Sequence, residues 1–409
     1  MKYIVIIGDG MADHPIPELG NKTILEYAEK PNMDYIAAKG RMGLAVTVPD
    51  GYAPGSDVAN MAIFGYDPAK YYTGRSPLEA VSMGVRMEDD DLSFRCNLIT
   101  IGSPDGKVGA DVKDPYILDY SGGHISSEEA AELIRAVDEK LGSDRFRFYP
   151  GISYRHLLIS KHNFAKNAVC TPPHDVTGQK VADNLPTGEG AEELTELTKK
   201  SFDILMNHPV NIRRMAEGKM PANSIWLWGQ GNAPRFESFK EVCHKTGAVV
   251  SAVDLLKGIG LSAGLDVIDV EGATGFLDTN YEGKVNAVKE ALKTKDFAFI
   301  HLEAPDECGH MGSYEKKIQA VEDLDSKVIA PLLEFARASG ERYRILVMPD
   351  HPTPVELKTH TNEPIPFAVY DTAEDDTDST TAFTEKQGRA GSYGCVRGSD
   401  ILRTILLKD

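Results

Sequence analysis

Three short apolar runs, each ending in an acidic turn, constrain the fold more than any other feature of this chain. Residues 3–7 form one such run and stop at Gly8-Asp9-Gly10. Phe297–Leu302 is followed by Glu303-Ala304-Pro305-Asp306, and residues 344–348 by Pro349-Asp350-His351. Runs of this length, bounded by turn residues and separated by helical patterns at 31–39 and 314–336, read as buried strands alternating with helices. That alternation predicts an α/β chain with an open, mostly parallel sheet flanked by helices. In such sheets ligands collect beyond the carboxyl ends of the strands, where the acidic turns fall.

The middle of the chain has another texture. Residues 96–232 read as short strands, loops and one acidic helix at 126–141, with turn-rich cues at Asp119-Tyr120-Ser121-Gly122-Gly123-His124 and Thr171-Pro172-Pro173-His174-Asp175. The α/β pattern resumes with 236–246, a strand-like 248–253 and Lys257-Gly258-Ile259-Gly260. The expected organisation is a discontinuous core, 1–95 with 233–409, interrupted by an inserted α+β cap or substrate domain, 96–232. An acidic segment at 371–381 reads as a surface loop.

With 409 residues, 42% of them hydrophobic, there is enough chain for a large core plus an insertion. The formal net charge of −18 argues against a nucleic-acid partner, since phosphate backbones attract basic surfaces. A small anionic substrate is compatible with it, because bound cations reverse a local field. The opening apolar run is too short for a signal peptide, and no stretch is long enough to span a membrane. The five cysteines, Cys96, Cys170, Cys243, Cys308 and Cys395, are scattered with no CxxC pair. They read as reduced thiols, and the chain as cytoplasmic.

Ligand-type residues gather just after the strands: Asp9, then Asp306 and His310 four apart, then Asp350 and His351 with His360 nine further on. Residues at i and i+4 share a helix face and can point at one ion. Mixed carboxylate and imidazole donors suit zinc, manganese or iron better than calcium. Each has a plainer explanation: an Asp after a strand often caps a helix, and a solitary His is usually structural. Their joint placement at strand ends is what favours a site. Ser56, in Pro54-Gly55-Ser56-Asp57, opens a helical stretch whose unpaired amides favour an anion. It could be a nucleophile activated by metal, since no GxSxG elbow surrounds it, or simply an N-cap.

Taken with Gly8-Asp9-Gly10-Met11, Thr73-Gly74-Arg75-Ser76-Pro77-Leu78-Glu79 and Pro349-Asp350-His351, these motifs resemble, in order and along essentially the whole chain, the cofactor-independent phosphoglycerate mutases of the archaeal type, within the alkaline phosphatase superfamily. The resemblance implies two divalent ions (Mn, Mg or Zn), one held by Asp9, Ser56, Asp350 and His351, the other by Asp306, His310 and His360. It implies a small phosphorylated substrate, with Ser56 taking its phosphoryl group and returning it to the neighbouring hydroxyl, so that 2- and 3-phosphoglycerate interconvert. Arg95 and Asn97, in Phe94-Arg95-Cys96-Asn97, match a family motif in the insertion, and Lys257 looks like the family lysine that polarises phosphate oxygens. The plain alternative for these cations is an ordinary surface role.

One departure stands out. Where the family usually shows an Asp-Arg…Gly-Arg pattern, this chain has Asp119, Tyr120 and His124. Tyr and His do not replace a bidentate guanidinium, although His124 could donate a hydrogen bond or move a proton at a substrate hydroxyl. That variant looks closer to a family branch proposed to phosphorylate homoserine, so a homoserine kinase-like phosphotransferase is the second reading. A non-catalytic metal-binding protein with a decayed site is the third, and it predicts a missing ligand, whereas all seven are present.

Overall fold

The computed structural model describes residues 1–109, 111–374 and 376–408. Its strands, in chain order, are β1 (Lys2–Gly8), β2 (Arg41–Val46), β3 (Leu92–Gly102), β4 (Tyr116–Asp119), β5 (Phe146–Tyr149), β6 (Arg155–Ser160), β7 (Ser224–Asn232), β8 (Gly247–Val250), β9 (Asp266–Val267), β10 (Phe297–Leu302), β11 (Tyr343–Met348), β12 (Ile365–Asp371) and β13 (Cys395–Arg397). The chain divides into two compact units, residues 1–72 with 235–409, and residues 73–234.

The larger unit is built on an eight-stranded sheet of order β13-β2-β12-β11-β1-β10-β8-β9. β1 pairs in parallel with both β10 and β11, while the β11–β12 and β12–β2 ladders are antiparallel. β10 and all but the first residue of β1 are buried, as expected of central parallel strands covered on both faces. The register places the strand ends level. Gly8 of β1 sits opposite Leu302 of β10, and Ile7 opposite Met348 of β11. The turns that follow, carrying Asp9, Asp306 and Asp350-His351, therefore leave one edge of the sheet.

The helical pattern at 314–336 is interrupted. Tyr314–Leu324 and Ala330–Ala338 are α-helical, with a π-helical segment Asp325–Ile329 between them. There the buried Asp325 carboxylate accepts from the backbone amides of Asn32 (3.2 Å) and Met33 (2.7 Å), meeting the open N-terminus of the Pro31–Lys39 helix. Asp371 does not begin a surface loop. It ends β12, where it is buried and bonded to Arg342 and Arg344.

In the smaller unit, β3 is the central strand, paired antiparallel with β4, β6 and β7. Apolar side chains of β3, β5, β6 and β7 bury against the Ser127–Leu141 and Ala191–Met206 helices. The second of these, with the Pro209–Ala216 helix that follows, adds to the single helix expected here from sequence. The unit also begins earlier than residue 96. A break there would cut β3, a continuous buried strand, and would detach the Ser76–Ser82 helix. Ser76 Oγ of that helix lies 2.8 Å from both the carbonyl oxygen and the hydroxyl of Ser93. Arg95 thus belongs to the smaller unit.

Candidate metal centre and nucleophile

Two clusters form where β1, β10 and β11 end. In the first, Pro305 lies in the opening turn of the Ala304–His310 helix, whose i,i+4 geometry sets His310 Nε2 3.2 Å from Asp306 Oδ2. His360 Nε2 lies 3.4 Å from Asp306 Oδ1 and 2.9 Å from His310 Nε2. The other nitrogen of each ring faces a carbonyl oxygen: His310 Nδ1 that of Lys358 (3.0 Å), His360 Nδ1 that of Pro54 (3.2 Å). Carbonyls only accept, so each Nδ1 carries the hydrogen and, in the neutral rings, both Nε2 atoms present lone pairs to each other and to a carboxylate. Such an arrangement is repulsive without a positive charge between the groups. With no metal bound, a proton on His310 supplies that charge. Hydrogen bonding to Asp306 pulls His310 up to about 9. Burial pushes Asp306 up, but its hydrogen bonds to His310 and His360 more than offset this and hold it well below its usual range.

In the second cluster, Asp350 Oδ1 accepts from the amides of Gly10 (3.0 Å) and His351 (2.9 Å), and Oδ2 from Asn60 Nδ2 (2.8 Å). Asp9 stands between two imidazoles, Oδ2 at 3.0 Å from His301 Nε2 and Oδ1 at 3.5 Å from His351 Nε2. His351 Nε2 is also 3.5 Å from Asp350 Oδ2. Asp9 is 1% exposed. Burial first, then the charges of Asp350, Asp306 and Glu303, push its carboxyl well above the usual range. Asp9 Oδ1 and His301 Nε2 are buried atoms that make no hydrogen bond. Buried, crowded carboxylates with unpartnered donor atoms fit a divalent cation, which supplies the missing charge and coordination.

By mutual distance the donors fall into the sets Asp9, His301, Asp350 and Asp306, His351, His360. His301 joins a group that sequence reasoning built without it, and His351 reaches both. Asp9 and Ser56 do not cap helices. The residue before the Ser56–Ile63 helix is Gly55, and no side chain caps it. Ser56 is its first residue, and its Oγ lies 3.2 Å from His351 Nε2. Asn60, one turn on, joins the Ser56 carbonyl (2.9 Å) to Asp350. Gly10 has φ +60°, and a Cβ there would lie 2.5 Å from Thr353 Oγ1 and 2.6 Å from Asp306 Oδ1. Glycine is required for the turn to approach the site this closely.

The remaining expected residues have partners of their own within their units. Lys257, on the Asp254–Ser262 helix, is bound 2.7 Å from Asp269 and 4.0 Å from Asp254. Arg95, Asn97 and His124 lie in the smaller unit. The Arg95 guanidinium stacks 4.3 Å above the Trp228 ring and pairs with Glu79 at 3.0 Å, and burial pushes it down to about 10. Asn97 Oδ1 accepts from Trp228 Nε1 (3.0 Å). His124 has φ +49°, with its ring edge-on to Tyr154. The Asp119 carboxylate accepts from the amides of Ser121 and Gly123, holding the turn in which the expected arginines are missing.

The sheet and its edge define the class: an α/β protein with an inserted α+β unit and a metal-ligand-rich centre at the carboxyl ends of parallel strands. A family model described as 2,3-bisphosphoglycerate-independent phosphoglycerate mutase matches residues 37–211. The enzyme of that name from Methanosarcina barkeri is 59% identical over 406 residues, 99% of this chain and 99% of its own. A solved structure of a Pyrococcus horikoshii protein aligns with a TM-score of 0.81 at 31% identity, covering 99% of this chain and 97% of that one. The cofactor-independent phosphoglycerate mutase of Thermoplasma acidophilum aligns at 0.66 with 26% identity, covering 100% and 99%. This chain belongs to the 2,3-bisphosphoglycerate-independent phosphoglycerate mutase family and is an enzyme. Among its described residues no helix is long and apolar enough to cross a membrane.

Proposed function

We propose that this enzyme interconverts 2- and 3-phosphoglycerate by passing the phosphoryl group through Ser56. The observation that carries the reading is Ser56 Oγ at 3.2 Å from His351 Nε2, the imidazole that reaches both donor clusters. In the forward half, Ser56 gives up its hydroxyl proton, its oxygen forms a bond to phosphorus while the bond to the substrate oxygen breaks, and that oxygen takes up a proton. In the return half, the neighbouring hydroxyl loses its proton and attacks phospho-Ser56, and the released serine oxygen regains a proton. With two divalent ions bound, Asp9, Ser56, Asp350 and His351 would hold one and Asp306, His310 and His360 the other, supplying charge that favours the serine alkoxide and neutralises the transferring group. His301, beside Asp9, is a further donor to the first set. Lys257 is the cation suited to the phosphate oxygens once it leaves Asp269, a partner that is itself largely exposed. Arg95, Asn97 and His124 supply the donors for recognition of the glycerate part.

Formation of 2-phosphoglycerate from 3-phosphoglycerate, followed by coupling to enolase with manganese present, tests the reading. Turnover that Ser56→Ala abolishes is the expected result. The substitution of Tyr120 and His124 for arginines is the observation behind the second reading. An enzyme silent toward phosphoglycerates but active with homoserine and ATP would replace the first reading with the second.

A further inference from the structure

Thr353 is fully buried and touches Asp306 and also His351, the imidazole that reaches both clusters. Its hydroxyl is hydrogen-bonded to Asp306 Oδ1 and lies 3.3 Å from His351 Nδ1. A carboxylate oxygen only accepts, so the hydroxyl hydrogen goes to Asp306. The Thr353 oxygen is then left as an acceptor for His351 Nδ1. The other neighbour of that nitrogen, the Pro352 carbonyl at 3.3 Å, also only accepts. Both surroundings demand a hydrogen on Nδ1. The Nε2 lone pair is consequently the one that faces Ser56, Asp9 and Asp350.

The residue is held so that this hydroxyl has little freedom. Its amide donates to the Ala12 carbonyl (3.3 Å), and its own carbonyl accepts from Lys317 Nζ (2.8 Å). Backbone approaches on two sides: a Cβ at Gly309 would lie 2.5 Å from the Thr353 carbonyl oxygen, and one at Gly10 2.5 Å from its hydroxyl.

We propose that Thr353 is a positioning residue for both clusters, its hydroxyl fixing His351 in the Nδ1–H tautomer while orienting the Asp306 carboxylate. A partner behind a metal-binding imidazole sets which nitrogen is available and how basic it is, and loss of such a partner weakens metal binding by about 10–100-fold. The inference rests on the reading of these clusters as a metal centre. It does not depend on which phosphorylated substrate the enzyme uses.

The test uses the full chain, stripped of metal by chelation and dialysed. Titration calorimetry with manganese compares wild type, Thr353→Val and Thr353→Ser, and ¹⁵N spectra of histidine-labelled protein report the His351 tautomer, with His351→Gln assigning the signal. Expected are Nδ1–H in the wild type, at least tenfold weaker manganese binding with a mixed tautomer in Thr353→Val, and near-complete rescue of both by Thr353→Ser. Manganese binding by Thr353→Val equal to wild type would overturn the proposal, as would Thr353→Ser being as defective as Thr353→Val. If Thr353→Val does not fold, the wild-type spectrum decides alone: Nδ1–H supports the proposal and Nε2–H overturns it.

Discussion

Replacing Lys317 by Met should destabilise the larger unit by an amount the structure sets. The ammonium is fully buried and donates to Asp13 Oδ2 (2.7 Å), the Thr353 carbonyl (2.8 Å) and the Ala12 carbonyl (3.1 Å). It ties the turn after β1 to the turn after β11. Removing one member of a buried ion pair strands the other and costs about 3–5 kcal/mol. Asp13 would keep hydrogen bonds from the amides of His14 (2.8 Å) and Val355 (3.3 Å), which places the loss near the lower end of that range. For a unit of this size, about 3 kcal/mol corresponds to a fall in Tm of roughly 6–12 °C. Circular-dichroism melts of metal-free protein measure it. Asp13→Asn alone should also destabilise, while the double variant should lose at least ~1 kcal/mol less than the sum of the two. A Lys317→Met protein melting within about 2 °C of wild type, or strictly additive single effects, would refute this account of the pair.

Gly10→Ala should lower kcat at least ~100-fold, because the new methyl displaces Thr353 and Asp306 at the site, and displacement on the ångström scale costs about that much; steady-state kinetics at saturating manganese measures it. In metal-free protein, His310 is held up at about 9, above its unfolded value near 6.5. Its contribution to stability is complete below about pH 6.5 and is lost as pH rises toward 9. Manganese should therefore raise Tm more at pH 8.5 than at pH 6, and equal shifts at the two would contradict the assignment. Lys257→Met should reduce kcat by about 100-fold yet move Tm by less than about 3 °C, because its ion pair with the exposed Asp269 is worth at most about 1 kcal/mol.

The strand ends were legible because they combine two signals, a buried apolar run and an immediate polar turn. Phe297–Leu302 and Pro31–Lys39 have the expected limits, and Asp306 with His310 was legible from i,i+4 spacing just after a strand end. His301 was hidden by its position inside the apolar run, where a histidine reads as core; only the register beside Ile7 sets its ring against Asp9. Asn60 carried a weak signal, four residues after Ser56 on one helix face. Thr353 carried none beyond adjacency to Asp350-His351, since a threonine in a proline-flanked turn looks structural. The early start of the smaller unit was missed for a different reason. The Ser76–Ser82 helix reads like any core helix, and its attachment to Ser93 is a tertiary fact. The π-helical segment at Asp325 likewise reflects a distant helix end that a periodicity of 3.6 does not register.

The central claim, a phosphoryl group carried by Ser56, is tested most directly by acid-quenching manganese-loaded enzyme within milliseconds of adding 3-phosphoglycerate and mapping phosphopeptides by mass spectrometry. The account predicts phosphate on Ser56, appearing before 2-phosphoglycerate accumulates and absent from Ser56→Ala. Unmodified Ser56 during full turnover, or a Ser56→Ala enzyme that still interconverts the two phosphoglycerates, would contradict it.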